Sequence, residues 1–151
     1  MSKQKIIHVH LPKDQVYKTT LTAGSHELIA DEPESVQGGT DAGPDPYDYL
    51  LMGLGSCTLM TVNMYARRKG WEVEDMFLEL RHDKRHADDC ADCENPKSKI
   101  DHIEKELIIK GDLTKKQLER LLEISKKCPV HRTLEGDINI NSSLSADSSS
   151  G

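Results

Sequence analysis

From Tyr49 to Ala66 the chain runs eighteen residues without a charge, whereas the segments on either side alternate apolar with polar positions or break into polar turns. Pro46 stands just before this run, and Arg67, Arg68, Lys69 and Gly70 follow it. Proline in a first turn, basic residues in a last turn and glycine after it mark both ends of a helix. A run of this length approaches the about 20 predominantly apolar residues of a membrane span. It contains Ser56, Thr58, Thr61, Asn63 and two glycines, however, and the rest of the chain is polar, so it reads as a helix surrounded by protein. Cys57 sits at its middle. Leu50, Leu54, Thr61 and Met64 follow helical offsets from Cys57, and Gly53, Gly55 and Ser56 permit close approach of another backbone, so the pattern predicts a buried thiol.

Before this helix, Lys5 to Leu11 and Val16 to Ala23 are short β-branched segments separated by the turn Pro12-Lys13-Asp14, and Ser25 to Ala30 follows directly after Ala23-Gly24. Together they predict a three-stranded antiparallel meander, with His26 facing solvent. Asp31 to Asp45, rich in Gly, Pro and Asp, reads as a loop. Neither a GKS/GKT sequence nor GxGxxG is present, which argues against nucleotide binding.

After the helix, Met76 to His82 and His102 to Gly111 alternate apolar and polar and are expected to pair as strands. Thr114 caps a second helix with Gln117 three residues on, as in a capping box, and Leu118, Leu121, Leu122 and Ile124 form its apolar stripe. That helix ends at Cys128-Pro129. A short turn, a strand from Asp137 to Leu144 and a low-complexity tail complete the expectation, with one domain over residues 1–144 and a disordered tail over 145–151.

The chain has 151 residues and a net charge of -6, with acids and bases mixed along it. No basic patch offers itself to nucleic acid or an anionic membrane. The N-terminus lacks an apolar run of signal-peptide length, which predicts a reducing cytoplasm, where four cysteines point to reactive or metal-binding thiols. Cys57 is mid-helix and draws nothing from a helix end. Cys128 precedes a proline that suits the first position of a new helix, where its sulfur would face free N–H groups. His131 and Arg132 follow closely. Two buried structural thiols are the alternative reading.

It is at these segments that a resemblance appears. GTDAGPDPYDYLLMGLGSCT, followed by a long helix, and KCPVHRTL resemble the two cysteine motifs of the OsmC family, which includes the organic hydroperoxide resistance proteins. The likeness extends over nearly the whole chain. It implies an α+β OsmC-like fold, with antiparallel sheets wrapped around a long central helix in an intertwined homodimer and active sites at the dimer interface. It also implies a peroxidase in which Cys57 attacks an organic hydroperoxide and Cys128 resolves the sulfenic acid as a disulfide, which a thiol or dithiol reductant then reopens.

In the hydroperoxidases a glutamate ten residues before the first cysteine holds an arginine over the thiolate. Here that position is Tyr47, with Asp48 beside it, and no arginine precedes Arg67. Asp48, His131 and Arg132 are the supporting candidates, with Lys18 a further cation. No cofactor is expected other than the zinc considered next.

A second constellation, His82, His86, Cys90 and Cys93, spaces four ligand types as HxxxHxxxCxxC, the composition of a tetrahedral zinc site. A redox-active CxxC and a merely solvated acidic loop are the other readings of it. Two function classes follow: a thiol-dependent peroxidase of small organic hydroperoxides, and a non-catalytic OsmC-fold protein that binds ligands or senses redox state or metal.

Overall fold

Among the described residues, the start of each helix and the ends of the first and third helices carry local signals that the structure uses. The computed structural model describes residues 4–86 and 99–146, without the side chains of 84–86 and 99. The elements run β1 (Ile7–His10), β2 (Thr19–Ala23), β3 (His26–Ala30), α1 (Pro46–Lys69), β4 (Asp75–His86), β5 (Lys99–Lys110), α2 (Lys115–Ser125) and α3 (Pro129–Glu135). They fall into two compact units, residues 1–55 with 79–106, and residues 56–78 with 107–151. Among the described residues no helix is long and apolar enough to cross a membrane.

In the first unit β1, β2 and β3 form the antiparallel meander expected, with Ile7 opposite Ala23 and Leu21 opposite Leu28. Gly24 takes φ 62° at the first position of the two-residue turn between β2 and β3, a conformation open to glycine at little cost. The stretch from Asp31 to Asp45 has no regular structure yet is tightly tied. Asp31 is buried, and its carboxylate accepts from the backbone N–H groups of Glu32, Thr40 and Ala42 and from the Thr40 hydroxyl. These bonds, the Thr40 hydroxyl chief among them, hold the Asp31 carboxyl below the usual carboxylate range. A Cβ on Gly39 or Gly43 would lie 2.2 Å from the Pro33 or Ile29 carbonyl oxygen respectively, so only glycine permits these close approaches.

The loop delivers Asp45 to the head of α1. Asp45 Oδ1 accepts from the Asp48 N–H at 2.8 Å, and Asp48 Oδ2 accepts from the Asp45 N–H at 3.0 Å, a reciprocal cap with Pro46 at the first helical position. The Tyr49 hydroxyl donates to the Ile29 carbonyl and ties the first turn to β3.

In the second unit α1 ends in a Schellman motif. Gly70 has φ 72°, its N–H donates to Arg67 O and the Trp71 N–H reaches back to Ala66 O. Trp71 then packs edge-on against Tyr65, the apolar contact that accompanies this cap. The Thr114–Gln117 capping box opens α2, with both reciprocal bonds formed. Val62 and Ala66 of α1 and Leu121 and Ile124 of α2 form the buried cluster, flanked by Tyr65, Trp71, Val73, Met76, Leu107, Ile109 and Leu113. The Arg120 guanidinium donates to the Tyr65 hydroxyl at 2.9 Å; this bond pulls the Tyr65 phenol below its usual value and raises Arg120 in turn.

Four expectations are corrected here. The strand expected over Asp137 to Leu144 does not form; Ile138, Ile140 and Leu144 are exposed, since no sheet edge in the described chain pairs with them. The turn after Cys128 is instead the helix α3. Leu118 and Leu122 of α2 stand at the surface, while Leu121 and Ile124 are buried. Finally, α1 is not buried all round: Leu54, Thr58, Val62 and Ala66 are buried at spacing four, but Met60 is 71% and Met64 54% exposed. A helix covered from one side buries one stripe, and here it is not the stripe that passes through Cys57.

The β4–β5 pair is longer than the two expected strands and forms its own two-stranded antiparallel sheet. His82 on β4 stacks on Tyr47, with ring centroids 4.6 Å apart, and its Nε2 lies 2.8 Å from Asp101 Oδ1 on β5.

Candidate functional site

The chemistry-bearing residues of the second unit gather where α1 meets the segment joining α2 to α3. At the end of α2 the buried Ser125 hydroxyl donates to Leu122 O at 2.6 Å, and the chain turns through Lys126 and Lys127 to Cys128. Cys128 is the N-cap of α3 with Pro129 next, and its extended backbone (φ -66°, ψ 146°) aims the side chain back over the first turn. Its Sγ there accepts from the His131 N–H at 3.3 Å, so the sulfur takes the place an oxygen usually fills in a helix cap. The sequence expectation that Cys128 faces free N–H groups is met in this bond.

Cys128 is completely buried, and a contact to it comes from α1: Thr58 Oγ1 lies 3.4 Å from Cys128 Sγ. Thr58 is itself fully buried and is the residue after Cys57. Cys57 is half-buried rather than buried as expected, because the covered stripe of α1 passes one position away from it. Both cysteines are free thiols in this structure.

Of the supporting candidates, His131 is the one whose backbone N–H donates to the Cys128 sulfur. Its Nε2 is 3.2 Å from Glu135 Oε1 one turn on, and its Nδ1 is buried with no hydrogen-bond partner among the described residues. A neutral imidazole that gives its Nε2 proton to Glu135 keeps an acceptor lone pair at Nδ1. Arg132 is exposed on α3. Asp48 belongs to the first unit, and its carboxylate is engaged in the α1 cap described above; Tyr47, also there, stacks on His82.

Of the zinc-type set, His82 is paired with Asp101, His86 lies at the end of β4, and Cys90 and Cys93 lie outside the described residues. Among the described residues no group of three His, Cys, Asp or Glu side chains is placed to hold a metal ion.

Sequence reasoning overlooked Thr58. The signal was present in its spacing of four from Leu54, Val62 and Ala66, which makes it the polar member of an otherwise apolar stripe.

A family model described as OsmC-like protein matches residues 39–143, more than half of the chain and both cysteine segments. The chain belongs to the OsmC-like family. Solved structures agree on the fold. An OsmC-like protein from Mycoplasma pneumoniae superposes with a TM-score of 0.70 at 23% identity, covering 90% of each chain. An organic hydroperoxide resistance protein OsmC from Legionella pneumophila gives a TM-score of 0.63 at 17% identity, covering 89% of this chain and 90% of that one. The organic hydroperoxide resistance protein OhrB of Bacillus subtilis gives 0.60 at 15% identity, over 89% and 93%. No curated protein sequence matches the chain. At these identities the likeness carries the fold, and the chemistry is argued from the residues of this OsmC-like chain.

Proposed function

We propose that this OsmC-like protein is a cysteine-dependent peroxidase that reduces small organic hydroperoxides through Cys57 and Cys128. The observation that carries the reading is the contact of Thr58, the neighbour of Cys57, with the sulfur of Cys128, which brings the two cysteine-bearing segments together within one unit. The difference in burial supports the division of labour. Cys57, half-buried, is reachable by a peroxide, whereas Cys128, fully buried, waits for an oxidised sulfur rather than for solvent.

In the first step the Cys57 thiol gives up its proton, the thiolate attacks the distal peroxide oxygen and the O–O bond breaks; the alkoxide leaves and takes up a proton to become the alcohol, with Cys57 as the sulfenic acid. In the second, Cys128 displaces that oxygen as water and the disulfide forms, ahead of overoxidation. An external thiol or dithiol supplies the two electrons that reopen it. His131, with its free Nδ1 and its Glu135 partner, is the group proposed to take the Cys128 proton, and exposed Arg132 is the cation available to a negatively charged intermediate.

The working form is proposed to be a homodimer of single 1–144 domains in a reducing compartment, since both units expose large apolar side chains, among them Ile7, Val9, Met60, Met64 and Ile140. The direct test is steady-state consumption of cumene hydroperoxide with a dithiol reductant. The wild type should turn over and Cys57→Ser should not; equal consumption by the two proteins refutes the assignment.

A second reading, a redox- or metal-sensing protein of this fold, draws on His82. Metal-binding histidines usually give their other ring N–H to a carboxylate, and Asp101 stands at that position. With His86, Cys90 and Cys93 as its other proposed ligands, zinc would weaken steeply as falling pH protonates the thiols. Protein purified without chelator or affinity metal should then carry close to one zinc, and under about a tenth of an equivalent removes the metal from consideration.

A further inference from the structure

We propose that Thr58 is a positioning residue that fixes the Cys128 sulfur for disulfide closure with Cys57. The assignment rests on the cysteine-pair chemistry proposed above and names the group that makes its second step fast. Thr58 occupies the buried stripe of α1 between Leu54 and Val62, where valine would fill the same shape without burying a hydroxyl. A hydroxyl in such a place is unfavourable unless it is hydrogen-bonded, and one of its contacts is Cys128 Sγ at 3.4 Å. Sulfur is a weak partner in either role, so what the contact contributes is direction rather than strength.

A cysteine side chain has three staggered positions. Contacts from two different elements help select among them here, the His131 N–H on α3 at 3.3 Å and the Thr58 hydroxyl on α1 at 3.4 Å. While Cys128 is a thiol, its S–H and the Thr58 hydroxyl can each be the donor. Once the proton is lost, the hydroxyl turns to donate to the sulfur alongside the backbone N–H. In closure the S–H bond of Cys128 breaks, a bond forms between Cys128 Sγ and Cys57 Sγ, and the S–O bond of the Cys57 sulfenic acid breaks. The oxygen leaves as water with that proton and its own, and the organic hydroperoxide of the first step has already served as oxidant. A sulfur free to rotate into another well would be misplaced by an ångström or more, enough to slow a positioned reaction roughly ten- to a hundredfold.

The experiment is a single-turnover oxidation of wild type, Thr58→Val and Thr58→Ser with one equivalent of cumene hydroperoxide, quenched at intervals. Dimedone labelling reads the Cys57 sulfenic acid, and mass spectrometry reads the disulfide and the sulfinic acid. In Thr58→Val the sulfenic acid should form at the wild-type rate while closure slows roughly ten- to a hundredfold, and excess peroxide should drive Cys57 on to sulfinic acid. Thr58→Ser, which keeps the hydroxyl, should close at nearly the wild-type rate. If Thr58→Val does not fold, as judged by circular dichroism, Thr58→Ala takes its place with the same expectation. Closure at the wild-type rate without the hydroxyl, or equal slowing of both steps, overturns the proposal for Thr58 alone. A wild type that consumes peroxide without ever forming the Cys57–Cys128 disulfide overturns the cysteine-pair reading, and Thr58's role with it.

Discussion

Replacing Leu121 by alanine should be among the most damaging single changes in the second unit, and the loss can be worked from its surroundings. Leu121 is completely buried on the inner face of α2, in the cluster with Val62, Ala66 and Ile124. The substitution removes three side-chain carbons. At about 0.8 kcal/mol per buried methylene, the transfer contribution is about 2.4 kcal/mol. A residual cavity adds to it, which brings the expectation to about 3–4 kcal/mol, inside the range of about 2.7–5 kcal/mol for buried leucines. For a chain of this size that corresponds to a melting temperature lower by roughly 6–16 °C. Leu122, its neighbour on the same helix, is 47% exposed, so Leu122→Ala should cost about 1 kcal/mol or less. Urea unfolding followed by far-UV circular dichroism, at matched protein concentration, separates the two. Because α2 ends three residues before Cys128, Leu121→Ala should also raise the rate at which an alkylating reagent reaches that buried thiol through local opening. A loss under about 1 kcal/mol for Leu121→Ala, or an equal loss for Leu122→Ala, refutes the orientation of α2 described here.

Gly70→Ala tests the α1 terminus: a Cβ there meets nothing within 4 Å, so its cost is that of the left-handed backbone alone, about 1–2 kcal/mol, and a neutral result in the same unfolding assay removes the Schellman assignment. Asp31→Asn should destabilise the protein at pH 7. The Asp31 pKa is lowered on folding, so its contribution is complete above the ordinary 3.8 and is lost as pH falls through the lower folded value; the gap between wild type and variant in urea midpoint should therefore narrow on going to pH 3, and a gap that widens contradicts the four hydrogen bonds drawn to this carboxylate. Sedimentation should show a dimer whose interface exceeds the roughly 2,000 Å² typical of obligate pairs, and a stable monomer at micromolar concentration counts against it.

Features that depend on a few neighbouring residues were legible in the sequence. Pro46 and Gly70 marked the limits of α1, Thr114 and Gln117 announced the capping box of α2, and Gly24 placed the turn between β2 and β3, while Pro129 suited the first position of a helix although its segment read as a turn. Each satisfies backbone groups within a turn or two, so the information lies where the structure forms. Tertiary structure alone decided which face of α1 is buried. An uncharged run offers no polar stripe to reveal its outer side, and the covered stripe was chosen by the distant partners Leu121 and Ile124. For the same reason Cys57 is half-exposed while Cys128 is sealed, Thr58 meets a sulfur seventy residues away, and Asp31 gathers donors as far along the chain as Ala42. The segment from Asp137 to Leu144 makes the point from the other side: its alternating residues suit a strand, but a strand forms only where another edge is there to pair with it.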